Sequence, residues 1–363
     1  MKVVLRIFIP LCIFSFIAFG ISVMFLGTDI STDDMVTSEL VISDSGANSY
    51  DITDSFTIIK ADAGACKLNI KPWSEQKTQV TVSGGAENRV RAEVSGDTLN
   101  ISSEWSWSSN WFTNLLNGSA FKTEITVKVP DKTYEQLRLT VGAGTLSCDD
   151  IKAKEVFLNV SAGTLTYTQP ENFRAEDIVS DVSAGNLIAR NADTSRYEVD
   201  VSAGSASIYG LTGNGKIDVS AGTVKLQYAD FSEGCDVDVS VGDVYLDIPE
   251  DSSVRFNCDK SAGDIRIMVG DENRHADDGD VISINGGKTN VNLSVSAGDI
   301  KVVNSTASAA EGDIISTNDG DTDVDLSVSA AEAVTIVNAT ELTPGTAAES
   351  VTTMFTETTA TEE

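Results

Sequence analysis

The chain has 363 residues, a formal net charge of -30 and a sequence pI near 4.2. That balance excludes nucleic acid as a partner, since phosphate contacts need Lys and Arg, and it opposes direct adhesion to an anionic membrane surface. A single histidine, His275, lies in DENRHADDGD and no G-x-S-x-G nucleophile elbow accompanies it, so it reads as a solvated loop residue.

Lys2 and Arg6 precede an apolar run over residues 7–26, and Asp29, Asp33 and Asp34 follow it. A run of about twenty uncharged residues can span a bilayer, whereas a cleaved signal usually has a shorter core. The reading is a signal-anchor over 1–27 with its basic flank in the cytoplasm and everything after it outside. Small residues at Ala18 and Gly20 leave cleavage, and therefore secretion, open. Residues 28–48 are polar and read as a tether.

Residues 49–135 read as an amino-terminal β region. Alternating stretches at 56–60, 67–71, 79–83, 89–94 and 98–102 predict strands, and Asp62, Ala63 and Gly64 between the first two resemble an early copy of the V-S-A-G motif that fills the middle of the chain. A strand at 123–129 closes the region, with Pro130 stopping the ladder. Before it stands an aromatic segment with Trp105, Trp107, Trp111 and Phe112. It has two open uses: a cap over the end of a stacked fold, or a binding surface for a protein, a glycan or a membrane interface.

Residues 136–340 repeat the motif V-S-A-G. Its pivot glycines are Gly144, Gly163, Gly185, Gly204, Gly222, Gly242, Gly263 and Gly298. Before each glycine the apolar residues fall at odd offsets (Leu137, Leu139, Val141), and after it at even ones (Val224, Leu226). Each run alternates like a strand with one buried face, and the phase slips at Ala-Gly, so a corner sits there. A glycine at such a corner is expected to take positive φ. The predicted fold is all-β: a single-stranded, right-handed parallel β-solenoid with rungs of about 20 residues. The serines Ser161, Ser183, Ser202, Ser220, Ser240, Ser261 and Ser296 form an outward ladder, and the rungs follow one another in chain order from 140 to 269.

Cys66, Cys148, Cys235 and Cys258 all fall at inward offsets, which favours buried free thiols, while a Cys235–Cys258 bridge between adjacent rungs stays open. Asp243, Asp264 and Asp299 directly follow their glycines. Bonding to their own backbone is favoured there over a bridging calcium. A longer repeat pairs residues 280–304 with 313–338, and the second copy carries Asp319, Asp321, Asp323 and Asp325. No glycine stands at the sixth position of that run, so it reads as a solvated acidic face rather than a calcium loop. The Thr- and Glu-rich residues 341–363 read as a disordered tail. No cofactor or metal site is assigned, and no carboxylate pair stands out for glycosidic chemistry.

The amino-terminal run, the strand ending in V-K-V-P at 127–130 and the iterated V-S-A-G rungs resemble the bacterial putative-adhesin family. This is a β-strand-repeat domain of unknown function from Gram-positive envelopes, and the likeness covers residues 49–338. The resemblance implies a β-solenoid at the cell surface whose relatives are linked to adhesion or to envelope-stress signalling. It supplies no catalytic residues. The expected function is therefore a membrane-anchored, non-catalytic binding or scaffolding surface for a protein or glycan of the envelope. The alternatives are a regulatory ectodomain that contacts a membrane protein and, less favoured, a carbohydrate-active β-helix.

Overall fold

The computed structural model describes residues 48–84, 88–105, 123–270 and 272–304. These residues form strands and no helix, arranged in a 13-stranded first sheet and a 12-stranded second sheet. Through the middle the chain alternates between the two: Lys152–Val160 lies in the second sheet, Thr164–Thr168 in the first, Ala175–Val182 in the second and Asn186–Arg190 in the first. Each strand pairs in parallel with its counterpart one turn later, as Val156 does with Ile178 and Leu165 with Leu187. One turn is a rung, and stacked rungs bury an apolar face that a single rung leaves open.

The inward side chains form columns of similar size. In the first sheet Leu146, Leu165, Leu187, Ala206, Val224, Val244, Ile300 and Ile265 stack rung upon rung, each no more than 1% exposed. The serines of the repeat point outward, as their offset predicts: Ser161, Ser183, Ser202, Ser220, Ser240, Ser261 and Ser296 are all exposed.

The corner departs from expectation in its cause. None of the eight pivot glycines has a positive φ. Among the forward rungs, left-handed residues lie instead at the opposite end, as at Asp150, Asn191, Gly213 and Gly234, where the chain returns to the second sheet. Glycine is required at the pivot by close approach. A Cβ on Gly163 would lie 2.3 Å from the Gly144 carbonyl oxygen and 2.4 Å from Val141 Cγ1. Gly185 meets Gly163 and Val160 in the same way, and Gly204 meets Gly185 and Val182. The valine that opens the motif thus packs into the space left by the missing side chain of the glycine one rung later. Three backbone bonds pin each corner to the one before: Ser183 N donates to Val160 O, Ala184 N to Ser161 O and Asn186 N to Gly163 O, at 2.8, 2.8 and 2.9 Å.

Stacking order also departs from chain order, at both ends. The rung Asp243–Asp247 is followed in space by Asp299–Val303, with Asp264–Val269 beyond it. In the second sheet Thr289–Val295 likewise lies between Cys235–Val239 and Val254–Lys260. The amino-terminal end mirrors this. Ile58–Ala63 is held between Thr133–Val141 and Thr98–Trp105, and Lys67–Trp73 between Thr145–Asp149 and Glu124–Pro130. All rungs share one inward pattern, so the repeat alone does not encode which rung neighbours which.

Outside each interleaved pair lies a rung that runs backwards. At one end Thr78–Ser83 and Asn88–Ser95 pair antiparallel with the outermost forward rung, and at the other Glu272–His275 and Val281–Ile284 do so. The amino-terminal backward rung is itself edged by Asn48–Ile52, antiparallel to Thr78–Ser83.

This order settles the cysteine pairing. Cys235 and Cys258 lie on strands separated by Thr289–Val295, two strand spacings or about 9.6 Å apart, and Cys258 is level with Val237 rather than Cys235, so the two are farther apart than the 7 Å or so that a disulfide can bridge. All four cysteines are buried free thiols. The signal-anchor, tether, acidic second repeat and tail fall outside the described residues. Among the described residues no helix is long and apolar enough to cross a membrane.

Candidate binding face

The outer face of the second sheet carries a groove of about 650 Å³ that crosses several rungs. Its walls are outward side chains of successive strands: Asp177, Arg196, Glu198, Lys216, Asp236 and Asn292. Its floor dips at Gly215, where the chain passes over the Tyr197 ring and a Cβ would lie 2.4 Å from Cδ2. Beneath the floor the Tyr197 and Tyr228 hydroxyls are 2.7 Å apart, and Phe231 packs edge-on against Tyr228 with centroids at 4.5 Å. The groove therefore rests on a rigid, buried aromatic cluster.

Its cations are already engaged. Arg196 forks onto Asp177, Nε to Oδ1 at 2.6 Å and Nη2 to Oδ2 at 2.7 Å, and Lys216 pairs with Asp218. At the far wall Asn292 Nδ2 donates to Asp236 Oδ1 at 2.6 Å. Beside the groove the register stacks Asp181, Asp200, Asp218 and Asp238 in one column, about 4.8 Å per step. The face presents carboxylates and amides, which suits hydroxyl-rich or cationic ligands and repels anions.

The acidic column has a measurable cost. Partial burial raises the Asp200 carboxyl above its ordinary 3.8, and the charges of Asp218, Glu198 and Asp181 push the same way while Lys216 opposes them. The folded chain holds this proton more readily than the unfolded chain does. Ionised Asp200 therefore subtracts stability at neutral pH, and the subtraction disappears as pH falls through the raised titration range. Asp200→Asn is expected to stabilise the protein at pH 7, read as a higher urea midpoint, by no more than about 0.5 kcal/mol given solvent screening, with the gain fading as pH falls through the raised range and gone below about pH 4. An unchanged midpoint at pH 7 and low salt would show that the column does not repel itself.

The chemically reactive residue types are otherwise sequestered. Burial pushes the Cys235 thiol up to about 12 and Cys258 to about 11, and raises Cys66 and Cys148 as well. None is a thiolate at neutral pH, and the thiolate is the nucleophile. In the native protein these four cysteines are expected to resist a small aromatic disulfide reagent at pH 8 and to react fully in urea. Fast native labelling of any of them would contradict the burial.

His275 ends the exposed backward strand Glu272–His275, and its Nδ1 lies 3.0 Å from Asp264 Oδ2. Asp264, Asp299 and Asp243 are neighbours across three rungs, and Asp264 N donates to Asp299 Oδ1 at 3.2 Å. That bond runs to the neighbouring rung rather than to a residue's own turn. Among the described residues no group of three or more His, Cys, Asp or Glu is placed to hold a metal ion.

Of the aromatic residues singled out in the sequence, Trp105 ends the strand Thr98–Trp105, where it pairs with Asn88. Its side chain, and Trp107, Trp111 and Phe112, lie outside the described residues. The eight glycines form one column along the corner edge, away from the groove. The groove itself escaped the sequence because its residues are ordinary outward strand positions. Only Gly215, a glycine at an inward offset, marks it.

Solved structures resemble the chain at low identity. A putative lipid binding protein from Parabacteroides distasonis ATCC 8503 aligns with 11% identity and a TM-score of 0.45, covering 73% of this chain and 98% of its own. A putative adhesin from the same organism gives 16% and 0.43, with coverage of 72% and 98%. A putative adhesin from Bacteroides fragilis NCTC 9343 gives 13% and 0.41, again with 72% and 98%. No curated protein matches the sequence. The family described as Toastrack DUF4097 matches residues 56–303, from just before the strand Ile58–Ala63 to the end of the strand Asp299–Val303, and the chain belongs to that family.

Proposed function

We propose that this chain is a membrane-anchored, extracellular and non-catalytic binding surface of the cell envelope, a right-handed β-solenoid whose ligand lies on the outer face of the second sheet. The observation that carries the reading is the groove of about 650 Å³ over Gly215, walled by paired charges and amides on a buried aromatic floor. A rigid scaffold with a few convergent polar groups is the usual form of a recognition site. The sequestered thiols favour binding over covalent chemistry, and the apolar run at 7–26 with its basic flank favours attachment through the amino terminus. A neutral, hydroxyl-rich envelope polysaccharide fits the carboxylates and amides without like-charge repulsion.

The test is co-sedimentation of the full chain with purified cell-wall polysaccharide, beside a variant carrying Glu198→Ala, Lys216→Ala and Asp236→Ala. Retention by the wild type and loss in the folded variant supports the reading. Equal retention by both removes the groove from it.

A second reading rests on a different feature. The chain leaves the second sheet at Trp105 and re-enters the first at Glu124, on the outermost forward rung, where the other forward rungs have a three-residue corner. A regulatory ectodomain that meets a membrane protein through Trp105, Trp107, Trp111 and Phe112 would use that place. Changing these four residues to Ser would abolish capture of such a partner and leave polysaccharide binding intact.

A further inference from the structure

One outward column on the second sheet is fixed rung by rung by the register: Lys60, Arg138, Phe157, Val179, Glu198 and Lys216 stand side by side on successive strands. Four of the six are charged, as suits outward positions in a chain of net charge -30. Phe157 and Val179 are apolar, adjacent and half-buried. A cross-strand apolar pair stabilises a sheet, but this one also ends the groove, whose lining includes Val179.

The two faces of the Phe157 ring differ. The Arg138 guanidinium lies over one of them, with its carbon 4.0 Å from the ring centroid. Arg138 is itself held in place: its Nε donates to Gln136 Oε1 at 2.6 Å, and Gln136 Nε2 donates to Glu155 Oε2 at 2.9 Å. Arg138 stands on the strand to one side of Phe157 and Val179 on the strand to the other, so the second face of the ring is turned toward Val179. Valine is short. Beyond it comes the exposed Glu198, two strand spacings or about 9.6 Å from Phe157. Together they make a slot with a fixed aromatic wall, an apolar floor and a carboxylate wall, continuous with the groove.

Such a slot selects a ring with an apolar face and a polar rim. The face of an aromatic ring is negative, so it attracts the slightly positive C–H bonds that stand axially on a saturated sugar ring. Packed at about 4 Å from Phe157, a sugar ring turns its rim hydroxyls toward Glu198, which accepts their hydrogen bonds. An axial hydroxyl would come between that ring and the aromatic wall.

The geometry points to Phe157 as a stacking platform for a pyranose whose ring hydroxyls are all equatorial, with Val179 as the floor and Glu198 as the acceptor. The inference rests on the groove being the ligand site and narrows its ligand to a gluco-configured polysaccharide.

Titration calorimetry of the full chain tests it with two soluble probes: cellohexaose, whose ring hydroxyls are all equatorial, and β-linked mannohexaose, with one axial hydroxyl on each ring. The wild type should bind cellohexaose about ten-fold more tightly. Phe157→Thr should lose that preference and Phe157→Tyr should keep it. Val179→Phe, which fills the slot and leaves the platform in place, should lose it too. A purely structural pair would shift urea midpoints in these variants and leave the preference intact, which overturns the inference. Equal binding of the two probes by the wild type overturns it while the groove reading stands. Binding of neither probe also overturns it, and co-sedimentation with wall polysaccharide then tells whether the groove reading fails with it.

Discussion

Gly222→Ala should destabilise the protein by about 2–3 kcal/mol, a large effect for a single methyl group. The added carbon would lie 2.3 Å from Val201 Cγ1 and 2.5 Å from the Gly204 carbonyl oxygen. The corner has no room to retreat. Ser220 N, Ala221 N and Thr223 N are bonded to Val201 O, Ser202 O and Gly204 O at 2.9, 2.9 and 3.0 Å, so moving it breaks the ladder to the previous rung. A positive-φ corner would accept asparagine, which tolerates the left-handed region, whereas a close-approach corner rejects asparagine as firmly as alanine. Urea midpoints for Gly222→Ala, Gly222→Asn and Ala221→Val separate the two causes. Ala221→Val should be nearly silent, because Ala221 is exposed and Val241 already occupies the equivalent place. A mild alanine variant, or an asparagine variant clearly better than alanine, would mean that the glycine column does not set the rung contact.

Leu293→Ala should cost about 2–5 kcal/mol, the range for emptying a packed leucine site. Leu293 is 1% exposed and pairs in register with Val237 on one side and Cys258 on the other. Its removal should speed amide exchange in both Cys235–Val239 and Val254–Lys260. A stack built in chain order would instead place residues 289–303 outside Val254–Lys260 and leave Cys235–Val239 protected. Exchange that changes on one side only would therefore count against the interleaved rung.

Much of the fold was legible because alternation and its phase slip are local. Val160 and Leu165, five residues apart and both buried, already imply a strand, a turn of the chain and a second strand. The outward serines and inward cysteines follow from the same offsets. What the motif hides is identity between neighbours. Thr289–Val295 carries inward Val291, Leu293 and Val295, the same set as Val156, Leu158 and Val160 in a distant rung, so its place between Cys235–Val239 and Val254–Lys260 depends on contacts remote in sequence. The role of glycine was ambiguous for a related reason. Freedom of φ and absence of a Cβ come with the same residue, and only the φ of Gly222 and its distance to Val201 tell which one is used. The groove was harder still, since Arg196, Glu198 and Lys216 come together through register rather than spacing along the chain.

The interleaved ends also govern how the molecule bears tension. A stack laid down in chain order could be unravelled like a thread, each pull detaching only the last layer. Here a load applied beyond Val303 enters a layer gripped on both sides, by Asp243–Asp247 and by Asp264–Val269, so two ladders must shear together before anything gives. At the opposite end the short strand Asn48–Ile52 can strip from its single neighbour, but the force then meets Ile58–Ala63, clasped in the same manner. The weakest step is the first, and the layers behind it resist as a knotted seam resists a tug on its loose end.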